Sequence, residues 1–292
     1  MSDTALSLKR VSKSFGDKKV LKQLDFSVPT GTIMGLVGKN GAGKTTLIKC
    51  LLGLLKPEAG EAKIFNDDSW DLSVQTKHRI GYVPQVMTGF RWMKVKALLE
   101  YTGAFYTRWN KSKVQSLLVE WELNPDAKIS TLSEGERQKL SIILAMGHEP
   151  DLYIFDEPVA SLDPAARRQF IKYLIDLNIS ENKTMLFSTH ITSDLERVAA
   201  DISLLKDGGI SYIGDLSSIK DRIRRVHFQS EKELPSPLPI NNVLNSRING
   251  KSATVTVDGL SEEEIQEAGK KMSAFVTVEY LNLEEIFLEL NK

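Results

Sequence analysis

Apolar and polar positions along this chain change period several times, and each change marks an element. Short β-type runs open it at 6–11 and 20–28, alternating apolar with polar residues as half-buried strands do. Ile33–Val37 carries no polar residue, as a strand covered on both faces requires, and a Gly-rich turn joins it to a helix from about Lys44. Residues 91–124 read as helices rich in aromatic side chains, after which strands near 152–155 and 185–188 alternate with helical segments. This alternation predicts an α/β fold with a mostly parallel sheet covered by helices on both faces. Near Arg222 the pattern changes. Strand-like 225–229 runs into ELPSPLP, Asn249-Gly250 joins two alternating runs as a hairpin, and SEEE starts a helix before a last strand at 275–280. The chain is therefore expected to divide into residues 1–221 and a small α+β domain, 222–292.

Composition narrows the function classes. The 38 basic and 38 acidic residues cancel, so there is no basic footprint of a dedicated nucleic-acid binder and no nucleic-acid partner is expected. No stretch approaches the roughly 18 consecutive apolar residues of a membrane span, and the first residues lack the apolar core of a signal peptide. Any membrane crossing falls to another chain. The single Cys50 lies in an apolar helical run and reads as a core residue of a protein in a reducing cytosol.

Two elements carry chemistry. Gly38, Lys39, Asn40, Gly41, Ala42, Gly43, Lys44 and Thr45, followed by Thr46, fit G-x-x-x-x-G-K-[ST] between an apolar strand and a helix. In such a P-loop the glycines let backbone N–H groups face phosphates, and the helix N-terminus favours an anion. Lys44 is expected to reach the β and γ phosphates of ATP and the Thr45 hydroxyl to hold Mg²⁺. The second element is LYIFDE, an apolar strand ending in two acids, Asp156 and Glu157. A buried strand has no structural use for paired carboxylates there, whereas a Mg-nucleotide site does. Asp156 is expected to bind the metal and Glu157 to polarise an attacking water.

With GKNGAGKTT, GYVPQ, LSEGE, LYIFDEP, SLDP and STH in this order, residues 5–220 resemble the ATP-binding subunit of an ABC transporter. FYTRWN, LSEGERQKLS, SLDPAARR and FSTHITSDLERVA look most similar to the YtrB-like branch of bacterial exporters. The resemblance implies a P-loop ABC ATPase domain with an N-terminal antiparallel β subdomain and a helical subdomain at about 90–148. It also implies hydrolysis of ATP at the cytoplasmic face of the cell membrane, coupled to a separate integral membrane subunit. Two such chains, as a homodimer or with a related ATPase subunit, would sandwich each ATP head to tail. By position, Phe15 would stack on adenine, Gln85 would touch the metal and water, and His190 would contact the γ-phosphate. Asp163 would lie at the dimer seam. Ser133 and Gly135 would donate to the nucleotide of the opposite subunit.

Some readings stay open at this level. Phe15, Gln85 and His190 each have a structural alternative, as core, loop amide and cap, and Asp163 before Pro164 also reads as a helix N-cap. The aromatics Phe90, Trp92, Tyr101, Phe105, Tyr106 and Trp109 read mainly as helical core, with a docking patch for a membrane chain as the alternative at Phe90 and Trp92. A soluble relative acting on DNA or ribosomes is the functional alternative, and a small-molecule kinase a more distant one. The family's usual LSGGQ has become LSEGE, so Glu136 is either a capping-box residue for Ser133 or a charge that opposes closure on ATP.

Overall fold

A computed structural model describes residues 4–290. In chain order its elements are β1 (Thr4–Phe15), β2 (Lys18–Pro29), β3 (Ile33–Val37), α1 (Lys44–Leu51), β4 (Ala59–Ile64), β5 (Asp67–Asp68), α2 (Val74–His78), β6 (Ile80–Val83), α3 (Val95–Gly103), α4 (Lys111–Glu120) and α5 (Glu134–Met146). There follow β7 (Leu152–Asp156), α6 (Pro164–Glu181), β8 (Thr184–Thr189), α7 (Thr192–Val198), β9 (Asp201–Lys206), β10 (Gly209–Asp215), α8 (Leu216–Arg222), β11 (Ile223–Ser230), β12 (Val243–Asn249), β13 (Ser252–Asp258), α9 (Glu262–Lys271), β14 (Ala274–Tyr280) and α10 (Leu283–Leu290). The described residues form two compact units, one running to His190 together with Arg197–Ile213, the other of Ile191–Glu196 together with the residues from Gly214 onward.

The first unit holds two sheets. β2-β1-β4-β5 is an antiparallel sheet built on the long β1–β2 hairpin, and β10-β9-β3-β8-β7-β6 is the larger sheet. Within the larger one, β9, β3, β8, β7 and β6 run parallel. Every residue of β3, β7 and β8 is buried, which is why these strands read as apolar runs rather than alternations. Cys50 packs in the core of this unit, and burial pushes its thiol up to about 11.

The aromatic stretch departs from the core reading. Trp92, Tyr101 and Phe105 are at least half exposed and Phe90 is more than a third exposed, whereas Tyr106 and Trp109 are partly buried. The buried stripe of α3 is Val95, Leu98 and Leu99, and Tyr101 falls off that stripe. Phe90 contacts both Trp92 and Tyr101, and Tyr101 meets Phe105 edge-on at 5.2 Å. Trp109 instead lies against Gly103 and Gly147, where a Cβ would approach its ring to 2.8 and 2.5 Å.

The second unit is an antiparallel sheet, β12-β13-β11-β14. The hairpin between β12 and β13 forms, but its turn falls one residue later than expected, at Gly250 and Lys251: Asn249 still pairs with Ser252, and Gly250 takes the positive φ, 59°. α9 begins at a capping box between Ser261 and Glu264, and its Ile265 and Ala268 join Val226, Phe228 and Val255 in one core. No helix among the described residues is long and apolar enough to cross a membrane.

Candidate active site

The loop from Gly38 to Gly43 leaves the end of β3 and enters α1. Its turn requires positive φ at Gly41 (79°) and Gly43 (110°), a region that costs any residue with a Cβ. Gly38 is fixed by packing instead: a Cβ there would lie 2.9 Å from the Leu205 carbonyl oxygen of β9. Ala42 N–H donates to Lys39 O and closes the turn. Lys44, 6 % exposed, curls back under the loop and donates to Gly38 O at 2.7 Å.

β7 delivers the two acids. Asp156 pairs in register with Ser188 of β8, whose hydroxyl donates to Asp156 Oδ1 at 2.7 Å. Burial and the neighbouring Asp156 charge push the Tyr82 hydroxyl up to about 12. Glu157 follows with φ 51°, a left-handed conformation that is costly for such a residue and concentrates at functional sites. Its N–H donates to both Ser188 O and Ser188 Oγ at 3.1 Å. Its carboxylate, buried, lies between two groups: Oε1 is 3.0 Å from Lys44 Nζ, and Oε2 accepts from His190 Nδ1 at 2.6 Å. A residue separated from Lys44 by more than a hundred positions thus shares one cluster with it.

Phe15, Lys18, Val20, Asn40, Gly41, Gly43, Lys44, Thr45, Thr46, Gln85 and Glu157 line one cavity of about 380 Å³. Phe15 is 53 % exposed at its rim, and Lys13 Nζ stands 5.7 Å from the ring centroid. Gln85 is exposed two residues past the end of β6. Ser133, Gly135 and Glu136 do not line this cavity. They form the first turn of α5, where Ser133 and Glu136 close both halves of a capping box. Asp163 caps α6, accepting from Ala165 and Ala166 N–H.

A divalent cation fits this arrangement. Asp156 Oδ2 is buried with no hydrogen-bond partner, and a buried lone carboxylate oxygen is costly unless something completes it. The Thr45 hydroxyl and the Gln85 amide add hard oxygen donors, the class Mg²⁺ takes together with substrate phosphates. Sequence reasoning had no role for Ser188, which orients both acids. Its signal was a serine among apolar residues of β8, but only the β7–β8 register gives it meaning. Lys13 behind Phe15 was missed as well.

Known proteins share this organisation. The ABC transporter family matches residues 21–160. An ABC transporter ATP-binding protein of Bacillus subtilis (strain 168), YxlF, is 32 % identical over 222 residues, covering 74 % of this chain and 73 % of that protein. The Nod factor export ATP-binding protein I of Rhizobium sp. (strain N33) is 35 % identical over 213 residues, 71 % and 70 % of the two chains. A solved ATP-binding subunit of an ABC transporter superposes with a TM-score of 0.67 at 28 % identity, over 74 % of this chain and 92 % of that one. The P-loop cavity and these likenesses together establish that the chain belongs to the ABC transporter family, as an ATP-binding and ATP-hydrolysing subunit.

Proposed function

We propose that this subunit powers export through separate membrane-spanning chains, with Mg-ATP held between two copies of the cassette or between it and a related one. The observation that carries the reading is the cluster Lys44–Glu157–His190 beneath the P-loop, joined to a family whose matched relatives include Nod factor exporters. ATP lies in the cavity with adenine on Phe15 and its phosphates over residues 38–46. Lys44 turns from Gly38 O and Glu157 to the phosphates. Mg²⁺, when bound, neutralises charge on the transferred phosphoryl group, and Thr45, Asp156 and Gln85 would hold it. Glu157, released by Lys44 and steadied by His190, accepts a proton from the attacking water. Ser133 and Gly135 face the nucleotide of the opposite cassette, with Asp163 at the seam. The exposed cluster of Phe90, Trp92, Tyr101 and Phe105 continues from Gln85 and is the docking surface for the membrane chain. The subunit works at the cytoplasmic face of the membrane, and FYTRWN with its neighbours favours the YtrB-like branch.

The Glu157→Gln variant tests the central assignment. It keeps the shape of the cluster and loses the base, so ATP binding persists while kcat falls by roughly 100-fold or more. Turnover close to wild type would remove Glu157 from the mechanism.

A further inference from the structure

The first turn of a helix carries N–H donors with no partner inside the helix, and in α5 the structure sorts them. Ser133 N–H donates to Glu136 Oε2 at 2.7 Å, and Glu136 N–H donates to Ser133 Oγ at 3.2 Å. Those bonds take two donors out of play. The Glu134 and Gly135 N–H groups remain, together with the hydroxyl proton of Ser133. With its Oγ accepting from Glu136 N–H, Ser133 keeps its hydroxyl proton for another acceptor, and the residue is exposed. Gly135 is constrained separately, because a Cβ there would lie 2.9 Å from Ser161 O.

Glutamate differs from glutamine here in one respect. The bond from Ser133 N–H, then the Ser133 side chain, hold the Glu136 carboxyl below its ordinary range, with Lys139 and Arg137 adding to this. An ionised carboxylate only accepts hydrogen bonds, whereas an amide also donates. Glu136 therefore satisfies Ser133 and has nothing to offer a phosphate.

We propose that Glu136 is a positioning residue: by closing the capping box on Ser133 it fixes the Ser133 hydroxyl, beside the Gly135 N–H, as a donor to the terminal phosphate of a nucleotide held by a second cassette. This rests on the reading that Ser133 faces that nucleotide.

The test uses the full chain, measuring steady-state ATP hydrolysis and thermal unfolding for Glu136→Ala, Ser133→Ala and the double variant. Glu136→Ala is expected to lower kcat about tenfold, the scale of one charge-assisted hydrogen bond, with KM for ATP unchanged because the P-loop is intact. Ser133→Ala is expected to lower kcat by at least as much, and the double variant to lose nothing beyond it. Ser133→Gly, which removes the hydroxyl at little cost to the helix cap, should match Ser133→Ala in kcat while keeping near wild-type unfolding. Where the isolated chain turns over too slowly, ATP-driven pairing in a Glu157→Gln background reads the same ranking. Losses that multiply in the double variant would overturn the action through Ser133. A Ser133→Ala variant with wild-type kcat and pairing would instead overturn the underlying reading, and with it the proposal.

Discussion

Glu157 is the residue on which the contacts of the site converge, and its surroundings explain its backbone. A left-handed φ at a non-glycine residue persists only where neighbours over-determine it, and here Ser188 holds the N–H while Lys44 and His190 hold the carboxylate. His148 shows a different use of burial. It is 4 % exposed, stacked on Tyr106 at 4.0 Å, with Nε2 on Ile80 O. Burial pushes its imidazole down to about 4 from 6.5. Above 6.5 the ring is neutral folded or unfolded and costs nothing. As pH falls from 6.5 towards 4, the unfolded chain takes up a proton that the folded one refuses. Stability should therefore drop by up to about 1.4 kcal/mol per pH unit across that window. Urea unfolding at pH 7 and pH 5 checks this, with His148→Gln expected to flatten the dependence.

At the scale of elements, helix starts and close contacts set the geometry. α5, α6 and α9 each begin at a side chain that accepts from the first turn, so their phases are fixed locally. The far end of α5 is fixed by packing: Gly147 meets Trp109, and Asn110 N–H donates to Gly147 O at 2.7 Å. This contact ties the end of α5 to the turn before α4. Gly147→Ala would drive a methyl group into the indole, and overpacking of this kind costs about 1–3 kcal/mol. Chemical denaturation should show that loss, while Gly89→Ala, in open space at φ 90°, reports strain alone.

For the whole molecule, the exposed aromatics are the feature that folding leaves unexplained. Four adjacent rings at the surface of the first unit form the kind of apolar patch that marks an interaction surface. Phe90→Ala with Trp92→Ala should leave ATP binding by the isolated chain intact and abolish co-purification with the membrane chain. Unchanged recovery of that chain would place the contact elsewhere.

Much of this was legible in the sequence because its causes are local. Continuous apolar runs marked β3, β7 and β8, glycine spacing marked the P-loop, Ser133 and Glu136 already spelled a capping box, and Asn249-Gly250 marked a hairpin. Each depends on a few consecutive residues and their backbone preferences. The tertiary structure decided what adjacency along the chain does not carry. It set the β7–β8 register that places Ser188 on both acids, and it brought Lys44 and His190 to opposite oxygens of Glu157. It also turned Phe90, Trp92, Tyr101 and Phe105 outward rather than into a core. An aromatic residue has the same periodicity whether its face is covered or bare, and a serine in a strand has no partner until another strand lies beside it.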